Sequence, residues 1–452
     1  MPRHFIIRAF QTAAVTACAL APAACSPTDF LGVEDPDIIN PSDVQSPAGA
    51  NAVRLGALAR FNAATSGGES LLLLGGLLAD EWNNGDSFIA RQEIDQRVVT
   101  EANTFLTTAN RVLHRARLSA EQAVDLLAQY SPTSPSWQVA EMHLIQAYVV
   151  NLMAEHYCDG LVFSTVVDGR EQYGSPITTQ AAFTRALGHA DNGLALTFGT
   201  TANDLRVRNA LLVTGGRILL NLNRAPEAAT AVSGVPTSFA YTMAHSPTTN
   251  QNAFWLFNNS ARRYSVSTAE GTSGLAFATA GDPRLPVCLG GDAACVTIGV
   301  PLNRRDDQTT PLYAQMRWTT NASAVTIMGG VEARMIEAEA QLPTDAPAAL
   351  ATMNAARTTV PGLVDLTDPG TPDGRLDQLF SERAFWLFGS GHRVGDLRRL
   401  IRQYGRAAGN VFPTGPWHKG GNYGTDVNIP VPLAETNNPN VPPGPTCMNR
   451  DA

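Results

Sequence analysis

One stretch near the C-terminus, Leu379 to Arg399, constrains this chain more than any other. Leu379, Phe380, Arg383, Ala384, Leu387 and Phe388 recur at helical spacing, so one helix face is apolar. Gly389 and Gly391 end that helix. A dense charged set follows: His392, Arg393, Asp396, Arg398 and Arg399. Glu382 and Arg383 sit in mid-helix beside large apolar neighbours, where a lone charge is costly. A buried network of Glu382, Arg393, Asp396 and Arg383 is therefore expected, each charge satisfying another. The fold must accommodate a helix pair stitched into a core by its own charges.

The chain has 452 residues, enough for a large core or several ordinary domains. Apolar residues make up 44% and charged residues 16%, which argues for a globular body and against disorder. A net charge of -8 without a basic run argues against nucleic-acid binding. Beyond the leader, no apolar run is long enough to span a bilayer.

Residues 1–24 read as an export signal. Arg3, His4 and Arg8 are basic, and Thr12 to Ala24 is small and apolar, too short for a membrane span. The stretch ends Ala-Pro-Ala-Ala-Cys25, a cysteine after two small residues, so Cys25 is the expected lipidation site. Pro22 stands where bacterial lipoproteins usually carry Leu. Val15-Thr-Ala-Cys18 fits locally better but would leave an apolar region interrupted by Gln11. Cleavage after Ala24 without lipidation is the alternative. A lipidated cysteine would anchor the protein to a membrane surface. Cys158, Cys288, Cys295 and Cys447 then remain, and an exported chain would form two disulfides among them. Cys288 and Cys295 bracket a short glycine-rich loop and are the simplest pair; Cys158 with Cys447 would pin the tail. No spacing suits a metal site.

Helices are expected at about 43–64, 71–79, 101–129, 137–157, 179–198, 202–222 and 226–232. Several form pairs joined by short polar turns. Ala147, Ala154, Ala181, Ala186, Ala190 and Ala195 stand where close helix packing needs small residues, the grammar of tetratricopeptide-like hairpins. Asn40 or Ser42 would cap the first helix. His143, His156 and His189 read as ordinary helical residues. Residues 233–326 are rich in Gly, Ser, Thr, Asn and Pro, a loop-rich insert of the kind that carries binding.

Several segments, in order, resemble the SusD/RagB family of nutrient-uptake outer-membrane lipoproteins. Glu382, Arg383, Gly391, Arg393, Asp396, Leu397 and Arg399 match the family's charged helix pair, with Phe385 and Ser390 replacing its other two glutamates. Tyr157, Asp159 and Phe163 resemble its Tyr-Gly-Asp turn, and Gly281-Asp-Pro-Arg284 a common Asp-x-Arg turn. Glu332, Ile336, Ala338, Glu339 and Ala340 resemble a family helix. Asn428-Ile-Pro-Val-Pro-Leu-Ala-Glu435 with Asn438-Pro-Asn440 resembles the closing segment. The resemblance implies a mostly α fold of tetratricopeptide-like hairpins with a loop-rich insert and a few short strands. It also implies a single unit over 25–452, divided into 40–232, 233–326 and 327–452.

The implied function is capture of an oligosaccharide, or another nutrient, at the cell surface. Delivery would be to a SusC-like TonB-dependent transporter in the outer membrane, with the lipid anchor holding the protein outside and no cofactor needed. Aromatic faces flanked by amides and charges suit sugars. The candidates are Trp82, Asn83, Asn84 and Asp86 after the second helix, Trp255, Arg262 and Tyr264 in the insert, and Trp417. Trp137, Trp318 and Trp386 lie on regular elements and read as core. No metalloprotease, nucleophile-elbow, P-loop or dinucleotide motif is present, and Asp80 beside Glu81 does not make a glycosidase pair. An enzyme is not expected. The rival reading is a helical-repeat surface scaffold or adhesin that binds protein partners.

Overall fold

Ser46 opens the first helix of the structure, a computed structural model that describes residues 44–167 and 170–452. Its hydroxyl accepts the Gly49 N–H at 3.0 Å, and Pro47 fills the first turn, where a missing N–H costs nothing. Helix α1 (Pro47–Thr65) thus starts after the expected residue 43; Asn40, Ser42 and Cys25 lie outside the described residues. Helix α2 (Leu71–Leu78) is buried along its whole length. Strand β1 (Trp82–Asn84) and helix α3 (Ile89–Asp95) follow. Helix α4 (Thr104–Tyr130) begins later than expected because the Asn103 side chain accepts the Phe105 and Leu106 N–H groups. Helix α5 is Ser136–His156.

A small hairpin, β2 (Thr165–Val167) and β3 (Arg170–Gln172), leads to α6 (Thr179–Leu194), α7 (Ala202–Asn221) and α8 (Ala225–Val232). Helix α6 ends before the expected Phe198, where the Ala195 N–H is shared between the Asp191 and Gly193 carbonyls. Consecutive helices pack on one another from α4 through α8, and α1 packs on α4. The fold is mostly α-helical and tetratricopeptide-like. Ala147, Ala154, Ala186 and Ala190 are buried in these contacts. Ala181 and Ala195 are exposed, and Ala182 takes the inward place beside Phe183.

The loop-rich stretch holds β4 (Ala240–Met243), a π-type turn (Trp255–Ser260), β5 (Tyr264–Val266), β6 (Val287–Leu289), α9 (Ala293–Thr297), β7 (Tyr313–Gln315) and β8 (Val325–Gly329). Helices α10 (Gly330–Gln341), α11 (Ala346–Arg357), α12 (Pro372–Trp386), α13 (Arg393–Arg402) and α14 (Ala408–Val411) complete the order. The strands form antiparallel pairs: β1 with β5, β2 with β3, β4 with β8 and β6 with β7. β1 and β5 are far apart in sequence, so their pairing fastens the insert to the helical half. One buried cluster runs from Val44 to Val431. Disulfides join Cys158 to Cys447 and Cys288 to Cys295.

The charged helix pair is the junction of the fold, but its partners differ from the expected network. Gly389 and Gly391 adopt φ of +71° and +74°, and the carbonyl of Gly391 accepts from Arg217 at 2.7 Å. Arg383 grips Asp396 at 2.9 and 2.8 Å, and Arg399 joins that carboxylate at 2.7 Å. Glu382 and Arg393 turn away from this pair. Glu382 is held by Arg284 at 2.7 Å and Arg357 at 2.6 Å. Arg393 makes a two-pronged bond to Asp80 at 2.6 and 2.7 Å. Glu339 receives Arg399, and Glu332 meets His392 at 2.7 Å. Adjacent charges on one helix point in different directions, so each reaches a different distant segment.

Candidate functional site

Strand β1 sets the register of the site. Trp82 faces Val266, Asn83 faces Ser265 and Asn84 faces Tyr264. The Trp82 indole is wholly buried, with ring centroids of Phe388 at 4.8 Å and of Phe254 and Tyr264 at 6.3 Å. It is core and offers no open face. Tyr264 is also buried, and its hydroxyl donates to Glu69 at 2.6 Å. Arg91 spans Glu69 and Asp86. The Asn83 amide donates to Glu270, and the Asn84 backbone N–H donates to Asp95 at 3.2 Å. The polar side chains of β1 are therefore committed inward.

A second element closes over them. Residues 415–423 form a tight hairpin, with Trp417 N–H bonded to Gly421 at 3.0 Å and Tyr423 N–H to Gly415 at 2.9 Å. The hairpin is fixed to the end of α3 by Gly424 N–H on Gln96 carbonyl at 2.7 Å. The Trp417 ring is buried, and its N–H donates to Asp95 at 2.9 Å. His418 Nε2 lies 3.0 Å from the Asn84 carbonyl, so that nitrogen carries the proton it donates. Its Nδ1 stands 3.6 Å from Asp95 and 3.7 Å from Glu270 and makes no hydrogen bond among the described residues. Lys419 donates to the Asp86 carbonyl and pairs with Asp307 at 3.0 Å.

The electrostatics of this cluster are uneven. Burial pushes the Asp95 carboxyl up to about 6; the nearby His418 opposes the shift and Glu270 adds to it. Backbone and side-chain bonds to Thr309, together with Lys419, hold Asp307 down at about 2 against the effect of its partial burial.

The less buried groups of the cluster lie at its outer rim. Trp255 is half-buried on the π-type turn, which packs on β5. Phe88 is 49% exposed, with the Arg263 guanidinium 5.4 Å from its ring centre. Arg262 adopts φ of +56°, its guanidinium donates to the Arg304 carbonyl at 2.9 Å, and its own carbonyl accepts the Asp306 N–H at 3.0 Å. Gln308 on the facing loop also has a positive φ, +59°. Left-handed backbone at non-glycine residues costs free energy and persists where surrounding bonds over-determine it.

The structure thus brings Trp82, Asn83, Asn84, Asp86, Arg262, Tyr264 and Trp417 into one neighbourhood, with Trp255 on the adjoining turn. Arg262 is half-buried at the rim and Trp255 is half-buried on the adjoining turn; the others form the buried support. Sequence reasoning missed Phe88, Asp95, Glu270, His418 and Lys419. His418 and Lys419 follow Trp417 directly and could have been read with it. Nothing local marks Asp95 or Glu270.

Among the described residues, no group of His, Cys, Asp and Glu could hold a metal ion. No described helix is long and apolar enough to cross a membrane.

No protein-family model matches the sequence, and no curated protein matches it. Solved structures do. A SusD superfamily protein from Bacteroides vulgatus superposes with a TM-score of 0.60 at 12% identity, covering 89% of this chain and 98% of that one. The chain has the SusD-like fold. A SusD/RagB family protein from Bacteroides thetaiotaomicron gives 0.62 at 12% identity, covering 86% of this chain and 94% of that one. A laminarin-binding SusD-like protein gives 0.59 at 14% identity, covering 86% and 97%.

Proposed function

We propose that this chain captures an oligosaccharide on the outer-membrane surface and passes it to a SusC-like TonB-dependent transporter. The lipid on Cys25 would tether it, facing outside. The observation that carries the reading is the loop cluster itself. A SusD-like scaffold supports a rim of Phe88, Arg262 and the 415–423 hairpin, with the half-buried Trp255 on the adjoining turn, backed by buried carboxylates. An indole and a phenyl ring provide apolar contact for a pyranose face, and guanidinium and ammonium groups donate to its hydroxyls. One SusD-like neighbour is a laminarin-binding protein, so laminarin heads the list of glycans to try.

Two experiments test this. Affinity electrophoresis against laminarin and other neutral polysaccharides should show retardation that Trp255→Ala abolishes. A mild-detergent pull-down of the tagged protein from its own outer membrane should recover a large TonB-dependent barrel in stoichiometric amount. Co-purification with other surface proteins and no glycan retardation would favour the scaffold reading.

A further inference from the structure

A second, chemically different cleft lies on the helical-repeat side, among α1, α5, α7 and β4. Its volume is about 510 Å³. That is within the range of small-molecule sites. Its lining combines Arg54, Asn62, Trp137, Glu141, Arg206 and Tyr241. Glu141 is the hub, only 1% exposed. One carboxylate oxygen accepts from Arg206 at 2.8 Å and from the Tyr241 hydroxyl at 2.9 Å; the other accepts from Arg54 at 3.3 Å. Both oxygens are spent within the protein.

The charge count of the cleft lining does not close. Arg54 and Arg206 carry two positive charges against the single carboxylate of Glu141, which leaves one in excess. Burial lowers the Arg54 guanidinium's affinity for its proton; Glu141 opposes this, and the neighbouring Arg206 adds to it. Arg206 is bonded through one terminal nitrogen and is 36% exposed, so it keeps donors for an incoming group. Asn62 donates to the Ala244 carbonyl at 2.6 Å, while its buried Oδ1 has no partner among the described residues. Trp137, read from sequence as core, is half-buried and lines the opening with the Arg54 guanidinium 5.4 Å from its ring centre.

We infer that this cleft is a binding site for a sugar residue carrying a carboxylate, a uronate. Its features map onto that ligand one by one. A planar guanidinium with free N–H groups matches a carboxylate in two-pronged fashion. The indole provides apolar wall for the ring. A neutral sugar would leave the excess charge unmatched. The inference does not rest on the loop-cluster reading, because the two sites share no residues.

The test is isothermal titration of the full chain with digalacturonate, with its neutral counterpart and with a sulfated disaccharide as comparisons. The expected result is saturable binding of digalacturonate, preferred over both. Arg206→Gln, which leaves Arg54 and Tyr241 on Glu141, should weaken it by about tenfold, in line with loss of one charged hydrogen-bonding group. Trp137→Ala should weaken it as well, and Trp255→Ala should leave it intact. Equal affinity for the neutral disaccharide would overturn the inference, as would preference for the sulfated one. So would digalacturonate binding that survives both cleft substitutions. Loss through Trp255→Ala alone would overturn the cleft and leave the loop-cluster reading standing.

Discussion

Two of the places where the molecule buries charge treat it differently. At the junction around α12 and α13, carboxylates and guanidiniums meet in short two-pronged pairs. The Asp396 carboxyl is held far below its usual range because Arg383 and Arg399 overcome the effect of burial. At the loop cluster, Asp95 and Glu270 flank one imidazole at 3.6 and 3.7 Å, beyond hydrogen-bond distance, and burial wins at Asp95. A carboxylate gripped on both oxygens by buried guanidiniums has little left to offer a ligand. At the loop cluster the carboxylates are hydrogen-bonded but the His418 Nδ1 between them has no partner among the described residues, and the half-buried Lys419 and exposed Phe88 lie nearby. The contrast separates what holds this fold from what it presents.

The sharpest way to break the comparison is at Asp396. Asp396→Asn would leave Arg383 and Arg399 short of a counter-charge in the core, at a cost of about 3–5 kcal/mol. Urea denaturation should show that loss without any change in ligand contacts. A cost near zero would mean the junction is not what holds the helices together.

Glu81 is the junction's exception. It is wholly buried and pushed up to about 8, chiefly by burial, with Gly389 N–H on one oxygen at 2.9 Å and the other oxygen without a partner among the described residues. The folded protein keeps a proton there that the unfolded chain has released above about pH 4.5. Stability contributed by this group is therefore full at acid pH and falls as pH rises toward 8, by about 2 kcal/mol between about pH 6 and about pH 8. Glu81→Gln should flatten that slope in pH-dependent denaturation.

Asp95 offers the same experiment inside the loop cluster, over a lower pH range. Its raised value places the loss of stability between its unfolded range and about 6, as pH rises. Asp95→Asn should remove a pH dependence of about 3 kcal/mol that the parent protein shows between about pH 4 and about pH 6. Trp255→Ala should move stability least, by about 0.5 kcal/mol, while removing glycan retardation.

The helices were legible because apolar periodicity and capping residues act locally. Where the boundaries differed, at Ser46 and Asn103, a single nearby side chain claimed the first free N–H groups. The partners of Glu382 and Arg393 were not legible. They come from Arg284, Arg357 and Asp80, and only tertiary packing decides which distant segment a buried charge reaches. The loop cluster was legible as a set of residue types but not as an orientation. Tryptophan after a buried helix reads equally as wall or platform; β1 pairing with β5 turned Trp82 into the core. Trp137 was misread in the opposite sense, since helical periodicity does not reveal an open cleft above it.

The most direct test of the account is hydrogen exchange with and without a bound neutral glycan. Added protection is expected at residues 255–264 and 415–423, with residues 379–399 unchanged because their charged groups are buried and paired within the core. Protection confined to the junction, or absent from both loop segments, would contradict it.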